Sequence, residues 1–346
     1  MNAVTDWARP VSVSAGRCLE IALYGASHAP EIAVALRGFP AGFRVDPEAL
    51  QAFLDRRAPG RDELSTPRRE ADRPVFESGL REGMTDGGEI RAVIRNANAR
   101  SGDYETAIPR PGHADWPAWV KYGPGYSFAG GGAFSGRMTA PLCIAGGLAL
   151  QFLAARGIAV AARAVRIGGE TDPERMREAI LAAKAEGDSV GGIVGCEAKG
   201  LPTGLGGPLF DGLEGRVSSL VFGIPAVKAI EFGAGFAVAE MKGSENNDPY
   251  RIEGGRVRPE TNHAGGILGG ISTGETLTFR VAMKPTPSIY RPQRSVDLVR
   301  GENVEFSVRG RHDPCVVLRA IPCVEAAAAL ALADALLEFD HERSRS

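Results

Sequence analysis

What the chain has little of narrows it first. Only five of its 346 residues are cysteine (Cys18, Cys143, Cys196, Cys315 and Cys323), and no two of them stand in a CxxC pair. A disulfide framework or a thiolate zinc site is therefore not its organising principle, and a reducing compartment is its natural home. Lysine is scarce too: 6 of the 40 basic residues are Lys and 34 are Arg. The net charge of -2 gives no global pull toward nucleic acid or an anionic membrane, so any anion must be held by a local cluster. No uncharged, wholly apolar run of about 18 residues is found, and MNAVTDWARPVSVSAGR lacks the apolar stretch of a signal peptide. The expectation is a cytoplasmic protein with neither nucleic acid nor membrane as partner. Missing as well are the GxGxxG and GxxxxGK[ST] phosphate loops, the GxSxG nucleophile elbow and any fixed-period repeat.

With 44% hydrophobic and 24% charged residues, the chain has the means to bury a large core. CLEIALYG and EIAVALRG read as strands joined by a turn at ASHAP. A helix is expected from DPEALQAFLDRR, with Asp46 as N-cap, Pro47 in the first turn, and Leu50, Phe53 and Leu54 as its apolar stripe. PVFESGL and GEIRAVI read as strands, and residues 95–136 as a long irregular section too aromatic to be disordered. Further helices are expected in TAPLCIAGGLALQFLAARG, in DPERMREAILAAKAEG and from Pro322 in PCVEAAAALALADALLEF. Strands are expected in IAVAARAVRIG, SVGGIVGCEA, ETLTFRVAM and VEFSVRG. The class is α+β, one unit over 1–346 without a linker.

Chemistry-bearing groups lie at turns. Ser27 and His28 close a strand in LYGASHAP; His113 sits in RPGHADW. Arg56 and Arg57 end the first helix, and Arg68 and Arg69 follow in TPRREAD. The glycine runs GGG (130–132) and AGGILGGISTGE (264–275) allow close backbone approach to a ligand. KPTPSIYRPQR (284–294) offers a lysine and hydroxyls in a proline-stiffened loop suited to a phosphate, and GRHDPC (310–315) sets Arg311, His312 and Asp313 on one turn. A serine hydrolase built on Ser27, His28 or His113, and Asp313 has no elbow to aim its nucleophile. A metal site built on His28, His113, His263 and His312 has no paired ligand spacing.

Taken in order, YGASHAP, DRRAPGR, STPRREAD, RSGDY, RPGHADW, KYG, GGGAFSGR, IPAVKAIEFG, GSENND, NHAGGILGGIS, KPTPSI and GRHDPC resemble the successive signature blocks of the chorismate synthase family, from about residue 15 to residue 337. The resemblance implies a β-α-β sandwich, helices packed between antiparallel sheets, assembled as a homotetramer. It leaves residues 1–14 and the last few residues of the chain outside the blocks, as candidate flexible ends. It also implies a lyase of the shikimate pathway that converts 5-enolpyruvylshikimate 3-phosphate to chorismate by anti 1,4-elimination, with reduced FMN as cofactor. NADPH is a candidate reductant and an external flavin reductase a candidate partner.

The same resemblance gives the residues roles. His28 is the acid for the departing phosphate, His113 protonates or hydrogen-bonds the anionic reduced flavin, and Ser27 with Asp313 manages the proton at flavin N5. Arg57, Arg110, Arg137 and Arg311 are the anion-binding set, apt for the two carboxylates and one phosphate of the substrate. Flavin binding falls to Ala133, Phe134, Ser135, Ala226, Gly269, the Lys284, Pro285, Thr286, Pro287, Ser288 loop and Arg311. The chain departs from the family pattern at Ala26, where a glutamate is usual, at Ala29, and at Ala133, where many members carry arginine or histidine. It departs also at Glu63, where a basic residue is frequent, at Ala229 and at Leu318. Those departures favour a second reading, a related protein that binds flavin or substrate with little turnover.

Overall fold

The computed structural model describes residues 5–60, 63–64, 71–96, 107–123, 125–126, 129–308, 310 and 312–344. Helix α1 (Pro47–Arg57) starts where its caps demand: the Asp46 carboxylate accepts from the Glu48 and Ala49 amides at 2.9 and 3.0 Å. After it come α2 (Asp115–Tyr122), α3 (Thr139–Ala154), α4 (Pro173–Ala185), α5 (Leu213–Val221), the single turn α6 (Gly243–Asn246) and α7 (Val317–Arg343).

Two antiparallel sheets flank the central helices. The first orders its strands Ser12–Ala15, Glu20–Gly25, Glu31–Arg37, Ile90–Arg95 and Val75–Ser78. The second orders Val227–Phe232, Leu277–Met283, Gly192–Lys199 and Ala159–Ile167. Helix α3 packs on Glu31–Arg37 and Ile90–Arg95, α7 packs on Ala159–Ile167 and Gly192–Lys199, and the two helices pack on each other. This is the layered β-α-β arrangement of an α+β fold. Both helices are apolar nearly all round, as a helix covered on every side must be. Their contact is at backbone range: a Cβ on Gly146 would lie 2.2 Å from Cβ of Ala326.

Several expectations need correction. Helix α7 begins at Val317, five residues before Pro322. The proline sits near the first turn, where its missing N–H forfeits one bond, and its ring is buried in the helical layer. The section 95–136 is not wholly irregular: α2 lies inside it, too short at 8 residues to show an apolar period. Helix α5 was hidden in the same way among glycines. Two helical spans, Gly136–Ala154 and Val317–Arg343, are long and apolar enough to cross a membrane, although each carries charged residues and neither is the uncharged run that the sequence lacks. They are 83% and 94% buried within the protein, the mark of core helices.

Candidate active site

One cavity of about 530 Å³ opens where the C-terminus of α1, the start of α3, the first turn of α7 and three loops converge. Such a volume suits a cofactor with a small substrate. The Ser27–His28 turn leaves the strand Glu20–Gly25 and is pinned from two sides: the Ser27 amide donates to the Gly132 carbonyl at 3.1 Å, and Asn96 Nδ2 donates to the Ala29 carbonyl at 2.7 Å. The three glycines facing it all have positive φ, at 59°, 82° and 54°. A Cβ on Gly130 would fall 2.0 Å from His28 Cε1 and 2.8 Å from Ser27 Oγ; one on Gly131 would fall 3.1 Å from His113 Nε2. The glycine run is therefore the partition against which both histidines pack. Gly130→Ala should force His28 aside and cost turnover roughly tenfold or more, with a lower melting temperature. Gly215→Ala, on α5 with open space around it, is the control expected to leave turnover unchanged and the melting temperature the same or slightly higher in the same assays.

Basic side chains face the cavity and carboxylates stand behind them. Arg57, Arg110, Arg137, Lys284 and Arg319 all line it. Behind Arg57 and Arg137 lies Asp72, with only 2% of its surface exposed. Arg57 donates to it from Nε at 3.1 Å, and the Arg137 Nη1 forms a second ion pair with its other oxygen. Burial opposes ionisation of Asp72, but the Arg57 and Arg137 guanidiniums outweigh it and hold the carboxyl below the usual range. Arg57 Nη1 also reaches Thr139 Oγ1 at 3.3 Å, and Arg137 Nε reaches Asn96 Oδ1 at 3.1 Å. Arg319 caps α1 by donating to the Arg57 carbonyl at 3.0 Å and pairs with Asp313.

Behind Arg110 and His113 lies Asp115, the first residue of α2. Its Oδ2 accepts from Arg110 Nε at 2.7 Å and its Oδ1 from Arg110 Nη2 at 2.8 Å, the two-pronged geometry that guanidinium favours. His113 Nδ1 lies 2.6 Å from the same Oδ1. Burial again opposes ionisation, and the bonds from Arg110 and His113 override it, holding this carboxyl far below its ordinary value. Two contacts clip the 284–288 loop onto this cluster: Lys284 Nζ donates to the Gly112 carbonyl at 2.9 Å, and Arg110 Nη1 to Ser288 Oγ at 3.2 Å. Burial, then the nearby Lys228, lowers the Lys284 ammonium's pKa.

Most of the expected site residues meet here. Ser27, His113, Asp313, Arg57, Arg110, Arg137, Ala133, Phe134, Ser135, Ala226, Lys284, Thr286, Pro287 and Ser288 border the cavity. His28 packs behind Gly130 instead of bordering it. Pro285 is exposed beside Gly191, and Gly269 lies exposed on the turn between Ile267–Leu268 and Ile271–Ser272, both off the cavity. Arg311 lies outside the described residues, as do Arg68 and Arg69. Glu63 is on the surface, paired with Arg177. Asp72, Asp115, Asn96 and Arg319 were missed by the sequence reading, although STPRREAD and RPGHADW contain the two carboxylates. Thr286 Oγ1 is buried at the cavity with no hydrogen-bond partner among the described residues. A buried orphan hydroxyl in a site of this volume fits a polar ligand such as a flavin.

Fold and site together define a layered α+β protein with a cavity rich in basic side chains between its helical layer and its loops. The family model described as chorismate synthase matches residues 19–337, and the chain belongs to that family of lyases. It is 45% identical to the chorismate synthase of Lancefieldella parvula over 95% of this chain and 97% of that protein. It is 46% identical to the chorismate synthase of Thermococcus gammatolerans over 93% of this chain and 97% of that one. The crystal structure of a chorismate synthase superposes with a TM-score of 0.73 at 26% identity, covering 94% of this chain and 93% of the other.

Proposed function

We infer that the chain converts 5-enolpyruvylshikimate 3-phosphate to chorismate, breaking the C3–O bond to phosphate and the C6–H bond in a 1,4-elimination that leaves a new ring double bond. The observation that carries this reading, beside family membership, is the cavity ringed by Arg57, Arg110, Arg137, Arg319 and Lys284 with Asp72 and Asp115 set behind. Guanidiniums already oriented by buried carboxylates lose little freedom when a carboxylate or phosphate arrives. In this reading His28 gives its proton to the departing phosphate and His113 exchanges a proton with the cofactor. Ser27 and Asp313 handle the proton from C6. Asp313 is steadied by its pair with Arg319.

The family is one that requires reduced flavin, and FMN is the form proposed here, with Ala133, Phe134, Ser135, Ala226 and the 284–288 loop as its holders. When bound, reduced FMN supplies a transient source of electron density for phosphate departure. NADPH as reductant, an external flavin reductase, a homotetramer and a cytoplasmic location complete the proposal. The tetramer draws support from large apolar side chains left in water, among them Leu209, Phe210 and Phe236 at 89%, 98% and 80% exposure. Sedimentation at several protein concentrations tests it. The competing reading, binding with little turnover, draws on Ala133 standing in the cavity lining where a polar contact is usual.

An anaerobic assay with chemically reduced FMN separates the two readings by whether phosphate and chorismate form together. With substrate present, the pure protein should bind reduced FMN more tightly than oxidised FMN. A titration that detects no binding in either redox state would defeat the flavoenzyme reading.

A further inference from the structure

We propose that Asp115 is a positioning residue that fixes His113 as its Nδ1–H tautomer and so dedicates Nε2, the nitrogen beside Gly131, to the cavity. This rests on the reading of the site given above and extends it to a residue with no assigned role.

The argument is one of donors and acceptors. Asp115 is 2% exposed and ionised, so both its oxygens can only accept. Oδ2 takes the Arg110 amide at 3.0 Å and Arg110 Nε at 2.7 Å, leaving Oδ1 for Arg110 Nη2 at 2.8 Å and His113 Nδ1 at 2.6 Å. A nitrogen 2.6 Å from an acceptor-only oxygen must carry the hydrogen. The 3.1 Å approach of Arg110 Nη2 to the same Nδ1 is then a meeting of two donors on one oxygen, since a protonated Nδ1 has no lone pair to offer Arg110. Neutral imidazole holds one N–H, so Nε2 is left as the acceptor that can take or return a proton. Nε2 is 3.1 Å from the position a Gly131 Cβ would occupy and 3.4 Å from Arg110 Nη2, a donor it can accept from, and His113 itself borders the cavity. Arg110 is positioned by the same carboxylate, so one side chain sets the geometry of an anion-binding group and a proton-handling group together.

Asp115→Asn tests this without a change of shape. The amide has one acceptor oxygen, and two Arg110 donors converge on the Oδ2 position, so the oxygen settles there and the NH₂ takes the Oδ1 position. An NH₂ donating to Nδ1 requires that nitrogen to be bare, which moves the hydrogen to Nε2. Ring ¹⁵N shifts of His113 in the free full-length protein, assigned with His113→Gln, read the tautomer directly and require neither flavin nor turnover. The expected result is a protonated Nδ1 in the parent chain at a pH where the ring is neutral, an unprotonated Nδ1 in Asp115→Asn, and the parental pattern in Asp115→Glu. In the anaerobic assay kcat should fall about 10- to 100-fold in Asp115→Asn and recover in large part in Asp115→Glu. A parent chain whose neutral His113 carries its hydrogen on Nε2 overturns the proposal, as does an Asp115→Asn protein that keeps Nδ1–H. Failure of the family activity in the parent chain would instead leave the tautomer result standing and defeat only the functional reading.

Discussion

Replacing His28 by alanine should lower kcat by about 10²- to 10⁴-fold while leaving the affinity for reduced flavin nearly unchanged. Proton donation to a departing phosphate matters in the transition state, so its loss shows in kcat before it shows in binding. This assignment rests on the family resemblance, since His28 lies behind Gly130 and off the cavity lining. Its loop is tied to the Gly132 carbonyl through the Ser27 amide, and the ring lies against Gly130, where no other residue type leaves it room. His113→Ala should differ in kind, weakening the reduced flavin complex as well as slowing turnover. Measuring kcat and flavin affinity for both variants under anaerobic conditions decides the assignment. A His28→Ala protein within a few-fold of the parent in kcat would reduce His28 to a turn residue.

How much of this was legible in the sequence follows from the range of each signal. Capping and period are local, so α1 and α4 were readable from Asp46–Pro47 and Asp172–Pro173, and the structure gives both carboxylates the expected cap bonds. The sheets were readable as strands but not as two layers, because pairing joins segments such as Gly192–Lys199 and Leu277–Met283 that nothing local connects. That architecture came only with the resemblance. Arg57, Arg110 and Arg137 could be named as anion binders from their blocks, yet what orients them could not. Asp72 lies 15 residues from Arg57 and 65 from Arg137, and its pairing is a product of the fold. Asp115 was within two residues of His113 in RPGHADW, close enough to have been suspected. A turn reading assigns such an aspartate to a helix start, which it also is. The glycine run was read as an approach to a ligand. Its φ values were expected of glycine, but its job as the packing surface for two histidines needed coordinates.

Asp72→Asn should destabilise the protein by about 3–5 kcal/mol, the range seen when one partner of a buried ion pair is removed and the other is left uncompensated. Arg57 and Arg137 are 1% and 6% exposed, so neither guanidinium can turn to water when the carboxylate goes. Asparagine is the informative replacement because Asp72 has φ of 43°, a left-handed backbone that asparagine tolerates and alanine does not. The variant thus removes charge and one acceptor while sparing the backbone. The pH dependence gives a second, independent reading. The folded carboxyl titrates below its unfolded value, so between the two the unfolded chain binds the proton and the folded one does not. The stabilisation is therefore complete well above the unfolded value of about 3.9 and is lost as pH falls from there toward the folded pKa. Urea unfolding of parent and variant across a pH series should show a wide gap near neutrality that closes in acid. A gap that is small at neutral pH, or that holds constant into acid, would mean that Arg57 and Arg137 are neutralised by some other group and that Asp72 is not what sets their spacing at the cavity.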